Sequence, residues 1–258
     1  MQNKNLKVIL LVAGEGKRLR PYTEDRPKCL VEVDGQSLIS RQLEVLKSQG
    51  LNDFIMIGGY KSIMLEKFNT KLILNPRFFE TNMVWSLFCG ETELEGDLII
   101  SYGDIVYSKE ILEALLKSKK DISVTIDKNW LSYWESRNED PLDDAETLKL
   151  RNDGTISEIG LKPESLDNIE GQYMGLMKFS NKGIRQLKEV FHKIKKNKIL
   201  NNKVIENLYM TDLLQELIYS GFSIHSVPIS DSWVEVDTVE DLNSKTTSER
   251  LMHIKKNL

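Results

Sequence analysis

The run Lys7–Val12 places five apolar residues in succession and stops at Ala13-Gly14-Glu15-Gly16. Unbroken hydrophobicity over strand length, in place of alternation, implies a strand buried on both faces. That is the condition of a parallel sheet covered by helices. The pattern returns at Phe54–Ile57, running into Gly58-Gly59-Tyr60, and at Lys71–Leu74, stopped by Asn75-Pro76. It recurs at Leu98–Tyr102, ending in Gly103-Asp104, and at Ile122–Ile126. Between these runs lie helical spacings. Ser37–Gln49 carries Leu38, Ile39, Leu43 and Leu46 and closes on Gly50, Thr81–Leu94 puts Met83, Val84, Leu87 and Phe88 on one face, and Lys109–Lys117 follows. Strand and helix alternating over residues 7–126 predict an α/β fold, a doubly wound, mostly parallel, Rossmann-like sheet flanked by helices. Ligands of such sheets lie outside the carboxyl ends of the strands. The glycine loop, Gly58-Gly59-Tyr60 and Gly103-Asp104 all belong to that edge.

Beyond residue 126 the alternation loosens. Leu148–Leu150, the Asn152-Asp153-Gly154 turn and Ile156–Ile159 read as a hairpin, a small β-rich insertion on the substrate side. Gln172–Phe179 reads as a buried strand, Lys188–Lys203 as a solvated helix face and loop, and Leu208–Ile218 as a helix. Phe222–Ile229 and Trp233–Val236 read as strands. No repeat and no low-complexity linker divides the chain, so one domain over residues 1–258 is expected.

Composition excludes several classes. The net charge of -4, from 35 basic and 39 acidic residues, argues against nucleic acid as a partner. No apolar run reaches membrane-spanning length, and Met1–Leu6 has no apolar core of a signal peptide. Cys29 and Cys89, far apart, suit reduced thiols and a cytoplasmic location. His192, His225 and His253 fall outside every motif and read as structural or surface residues. Neither a nucleophile–histidine arrangement nor zinc-ligand spacing emerges.

Three phosphate-binding patterns compete for the glycine loop. The dinucleotide fingerprint needs a third glycine where Leu19 stands. A Walker loop needs Ser or Thr after Gly-Lys, whereas Arg18 follows Gly16-Lys17. The third, L-x-A-G-x-G-x-R-L-x-P-x-T-x-x-x-P-K, matches at Leu11, Ala13, Gly14, Gly16, Arg18, Leu19, Pro21, Thr23, Pro27 and Lys28. Glycines there let backbone N–H groups close on phosphate oxygens, and Arg18 and Lys28 add a planar fork and a point charge. Lys17 and Arg26 read as solvent charges.

On this signature the chain resembles the nucleotidyltransferases that include sugar-1-phosphate nucleotidylyltransferases and bacterial phosphocholine cytidylyltransferases. The resemblance continues through "NPRFFETNMVWSLF" (Asn75–Phe88), "YGDIVY" (Tyr102–Tyr107), "MTDLL" (Met210–Leu214) and "WVEVDTVEDL" (Trp233–Leu242), and "ETNMVWSL" is closer to the phosphocholine-type branch. It implies transfer of CMP from CTP to a small phosphorylated, amine-bearing acceptor, with L-glutamine phosphate ranked ahead of phosphocholine. A sugar-phosphate uridylyl- or thymidylyltransferase is the same-class alternative. A nucleotide-sugar glycosyltransferase is the rival class, although Asp104-Ile105-Val106 lacks its usual D-x-D. The expected partners are CTP and the acceptor, with no nucleic acid and no membrane, in a monomer or homodimer. Residues 7–126 are then the nucleotide-binding half, and 127–245 complete the acceptor and metal sites.

The resemblance also distributes roles. Lys28 and Arg18 are the catalytic cations. Val12, Ala13, Gly14, Glu15 and Gly16 hold the nucleotide, together with Gly58, Tyr60, Asn82 and Gly103. Asp104 and Asp237 map onto the Mg²⁺ ligands, and Mg²⁺ takes one or two carboxylates plus phosphate oxygens. Each residue has a plainer reading beside this one. Asp104 is equally a turn former and Asp237 equally a cap of the following helix. Gly58-Gly59 serves a bare turn as readily as a ribose, and Asn82 an N-cap as readily as a pyrimidine edge. The aromatics Trp130, Tyr133, Trp134, Tyr173 and Trp233 are either a cage for an ammonium or core. Arg137, with Glu135 near it, is either acceptor-binding or part of a solvated charged pair, Glu235 is a further acceptor-binding candidate, and Asp212 and Glu235 are candidates for the rim. A phosphomonoester, its second pKa about 6, is a ready nucleophile and needs no general base.

Overall fold

The computed structural model describes residues 6–256, so the reading of Met1–Asn5 lies outside it. Seven strands form the central sheet: β1 Lys7–Val12, β2 Asp53–Gly58, β3 Lys71–Leu74, β4 Leu98–Tyr102, β5 Ile122–Asp127, β6 Gln172–Phe179 and β7 His225–Ile229. Their order is β7-β5-β6-β4-β1-β2-β3. Only β6 runs antiparallel to its neighbours. Val8, Leu10 and Val12 of β1 enter one apolar cluster and Ile9 and Leu11 the other, so the uninterrupted run reflects burial on both faces.

Helices cover the two faces. The face of Val8 packs on α1 (Leu38–Ser48), α3 (Lys109–Lys117) and α4 (Trp130–Glu135). The face of Ile9 packs on α2 (Met83–Cys89), α5 (Asn181–Asn197) and α6 (Met210–Tyr219). Helices α7 (Val239–Asn243) and α8 (Lys245–Lys256) close a smaller core with Leu19, Val106 and Val234. The hairpin appears as Leu148–Leu150 paired antiparallel with Ile156–Ile159.

Two differences from the sequence reading have local causes. The helix expected over Thr81–Leu94 is α2, which stops at Gly90, where a Cβ would lie 2.8 Å from Ile57 Cδ1, and a separate 3-10 turn over Glu91–Glu93. Helix α8 buries only Thr247, Leu251 and Ile254, too sparse a stripe for periodicity to reveal. Cys29 and Cys89 are both thiols, and burial pushes the Cys29 thiol up to about 12. No described helix is long and apolar enough to cross a membrane.

Candidate active site

Parallel registers bring the strand ends level: Val12 faces Gly58, and Leu11 faces Tyr102. The loop after β1 therefore leaves beside Gly103-Asp104. Gly103 N–H donates to the Leu11 carbonyl at 3.0 Å, and a Cβ there would lie 2.7 Å from Val12 Cγ1. Gly16 takes φ +68°, and its carbonyl accepts from Leu19 N–H at 2.9 Å and Thr23 Oγ1 at 2.8 Å. Lys28 N–H donates to the Gly14 carbonyl at 3.3 Å, folding the second half of the signature back over the first.

A remote strand pair completes the centre. Ile105–Tyr107 pairs antiparallel with Trp233–Glu235, and Val236 N–H donates to the Asp104 carbonyl at 3.0 Å. Asp104 and Asp237, 133 positions apart by their numbers, thereby flank one point. Lys28 Nζ occupies it, 2.6 Å from Asp104 Oδ2 and 2.5 Å from Asp237 Oδ1. Arg18 pairs with the other oxygen of Asp237. Asp104 Oδ1 is buried without a hydrogen-bond partner. Two hard carboxylates, one with an unsatisfied oxygen, are a donor set that suits a hard divalent cation in place of the Lys28 ammonium that lies between them. Among the described residues no group of three or more His, Cys, Asp or Glu gathers, so phosphate and water would have to complete its shell.

Two clefts meet at this point. The first, about 650 Å³, is lined by Val12, Ala13, Gly14, Asn82 and Gly103. The second, about 1000 Å³, is lined by Tyr173, Trp233 and Glu235 and by Arg18 and Asp237. Lys28 and Asp104 line both. Of the nucleotide candidates, Glu15, Gly16, Gly58 and Tyr60 line neither cleft. Tyr60 N–H donates to the Ala13 carbonyl at 3.1 Å and its hydroxyl to the Glu24 carbonyl at 3.0 Å, buttressing the loop from behind. Glu15 pairs with Arg20 and Lys17, and Arg26 with Asp25. Asn82 stands at the N-cap of α2 without a side-chain capping bond. Its amide donates to the Asn207 carbonyl at 2.9 Å.

Three acceptor-side expectations need correction. Trp130 is 5% exposed and packs edge-on against Trp134 in the core, outside the cleft. Arg137 lies behind the cleft wall. Burial disfavours its charge, but the carboxylates of Glu235 at 2.7 Å and Asp241 at 2.8 Å more than reverse this and raise its pKa. Asp212 misses the rim because it binds Lys203 at 2.8 Å and accepts from Tyr209 N–H, capping α6. Trp233 lines the cleft although 1% exposed, its indole N–H donating to Asp127 Oδ2 at 2.8 Å. His192, His225 and His253 line neither cleft.

Sequence reasoning missed Glu146, which lines the second cleft. Gln172 clamps its backbone, accepting from Glu146 N–H at 3.3 Å and donating to its carbonyl at 2.6 Å. Its Oε1 accepts from Thr211 Oγ1 at 3.2 Å, and burial pushes the carboxyl up to about 7. No motif surrounds Glu146, and a lone Glu between Ala145 and Thr147 carries no signal in sequence.

Residues 8–147 match the model of the MobA-like NTP transferase domain, more than half of the chain. The chain belongs to this nucleotidyltransferase family. The CTP:phosphoglutamine cytidylyltransferase of Campylobacter jejuni is 38% identical over 248 residues, covering 92% of this chain and 98% of that protein. The choline-phosphate cytidylyltransferase of Streptococcus pneumoniae is 36% identical over 117 residues, covering 44% of this chain and 51% of that protein. The inositol-1-phosphate CTP transferase of T. maritima shares the fold at a TM-score of 0.77 and 21% identity, covering 100% of this chain and 99% of that one. For a nucleotidyltransferase, two clefts meeting at a cation-and-carboxylate point are what joining two phosphates requires.

Proposed function

We propose that this nucleotidyltransferase transfers CMP from CTP to a small phosphorylated acceptor, with release of pyrophosphate. The observation that carries the reading is the convergence of Lys28, Arg18, Asp104 and Asp237 where the two clefts meet. The chain's likeness to CTP:phosphoglutamine cytidylyltransferase over 92% of its length supports L-glutamine phosphate as the acceptor. The product, CDP-glutamine, would then supply phosphoramidate groups to a capsule from the cytoplasm.

In this reading the first cleft takes the nucleotide. Backbone N–H groups of the glycine loop, whose Gly14 lines this cleft, would approach the departing phosphates, and Lys28 and Arg18 would balance the charge that builds on pyrophosphate. An acceptor phosphate oxygen bonds to the α-phosphorus as the bond to the bridging oxygen breaks, and that electron pair leaves with pyrophosphate. The acceptor dianion carries its own nucleophile, which accounts for a centre without a histidine. Asp104 and Asp237 would hold Mg²⁺, which would screen the repulsion between the two phosphates. The second cleft orients the acceptor from residues 127–245, and residues 7–126 supply the nucleotide side.

The deciding experiment crosses four nucleoside triphosphates with L-glutamine phosphate, phosphocholine, phosphoethanolamine and hexose 1-phosphates, scored by pyrophosphate release. Release from CTP with a small amine-bearing phosphate is expected. Turnover confined to UTP or dTTP with hexose phosphates, or release of a nucleoside diphosphate, would sink the reading.

A further inference from the structure

The second cleft holds more negative charge than the transfer chemistry uses. Five of its acids are Asp104, Asp144, Glu146, Glu235 and Asp237. Lys28 and Arg18 compensate Asp104 and Asp237, and Arg137 compensates Glu235. Asp144 is exposed to solvent. Glu146 differs from all of them. It is half-buried, and among the described residues its carboxylate makes no ion pair, only the hydrogen bond from the Thr211 hydroxyl, with the charge of Lys203 acting from beyond contact. A carboxylate partly withdrawn from water with no cation in contact is costly, and a compact positive group brought beside it removes that cost.

The surroundings limit what that group is. Tyr102 and Tyr173 meet edge to face at 5.6 Å and line the same cleft, with Trp134 and Trp233 also on its wall. The half-buried rings of Tyr102 and Tyr173 beside the carboxylate suit one chemistry, a small organic cation with a short carbon stem. Gln172 clamps the Glu146 backbone through two hydrogen bonds, so the carboxylate meets its ligand preset.

We propose that Glu146 is the specificity residue for the acceptor, accepting hydrogen bonds from a protonated amine whose phosphate end lies at Lys28 and Asp104. This rests on the transfer reaction proposed above and adds the group by which the acceptor is chosen. Glu235 is unsuited to the task because Arg137 already neutralises it.

The test uses the full-length enzyme with CTP and two matched acceptor pairs, L-glutamine phosphate against its des-amino analogue and phosphoethanolamine against ethyl phosphate. Each pair yields a ratio of kcat/KM, amine over no amine. Wild type should prefer the amine by about 10- to 100-fold, the range expected of a buried charge-assisted hydrogen bond. In Glu146→Gln that ratio should collapse towards one, with the change in KM, and Glu146→Asp should restore part of it. Folding is checked by circular dichroism. A wild-type ratio near one overturns the assignment even if Glu146→Gln does not fold. So does an equal fall in kcat for both members of a pair, the mark of a general base. Absence of pyrophosphate release with every acceptor would instead overturn the transfer reaction itself, and this assignment with it.

Discussion

Lys28 lies within hydrogen-bond reach of two carboxylates that are remote from it in sequence. Its removal therefore takes a cation from the phosphates and leaves Asp104 and Asp237 facing each other. Lys28→Ala should lower kcat/KM about 10²–10³-fold, the cost of losing one electrostatic donor to a developing anion. The double change Asp104→Asn with Asp237→Asn should abolish turnover at an unchanged circular-dichroism spectrum. Near-wild-type rates in either variant would remove those residues from the chemistry. Glu146 gives a separate prediction. Burial, with Asp212 and Asp144 nearby, raises its pKa from 4.5 to about 7, against the opposing pull of Thr211 and Lys203. Between pH 4.5 and 7 the folded protein keeps this proton and the unfolded chain releases it, so stability falls as pH rises through that window. Glu146→Gln escapes the penalty. Its melting temperature relative to wild type should rise from pH 5 to pH 8, with a gain bounded by about 3 kcal/mol. A difference that does not vary with pH would show that folding does not raise the pKa of this carboxyl.

At the scale of elements, the centre depends on two close approaches. The first is Gly103 at the end of β4, where a Cβ would lie 2.9 Å from the Leu11 carbonyl oxygen, a backbone atom that cannot step aside. Gly103→Ala should therefore cost about 1–3 kcal/mol, read as a lower melting temperature, and displace Asp104 with loss of activity. The second is the tie between α4 and α7. Arg137, just beyond α4, donates to Asp241, which in turn accepts from Asp237 N–H and Thr238 N–H, each at 3.0 Å. Arg137→Ala would leave Asp241 buried without its cation and should cost about 3–5 kcal/mol in thermal or urea unfolding. In the sequence Arg137 stood out only through its neighbour Glu135, as an acceptor-binding candidate or a solvated pair. Its partners are 98 and 104 positions away, and no local pattern encodes pairing at that range. Helix α4 was equally hidden, being six residues long with its aromatics buried.

Across the whole molecule, strand order decides what folds together. β6, residues 172–179, lies between β4 and β5, which precede it in the chain. A fragment ending at residue 147, where the family match ends, would leave β4 and β5 without their shared neighbour. Such a fragment should be insoluble or unfolded by circular dichroism, while the full chain unfolds in one transition that CTP with Mg²⁺ moves upward. A soluble, cooperatively folded fragment would contradict the shared sheet. Fold class was legible because residues 7–126 are locally repetitive: doubly buried strands read as apolar runs, and helices between them read as stripes. The phosphate loop was legible because its residues are contiguous and glycine is needed where φ turns positive, as at Gly16. By itself, then, the sequence determined the mostly parallel sheet, the glycine loop and the presence of Arg18 and Lys28 in it. Tertiary structure alone decided that Ile105–Tyr107 pairs with Trp233–Glu235 and so brings Asp104 to Asp237. It also decided that Arg137 faces inward and that Glu146 enters the cleft unpaired. The physical reason is range: propensity and periodicity act within a few residues, whereas charge pairing and burial depend on which distant segments pack together.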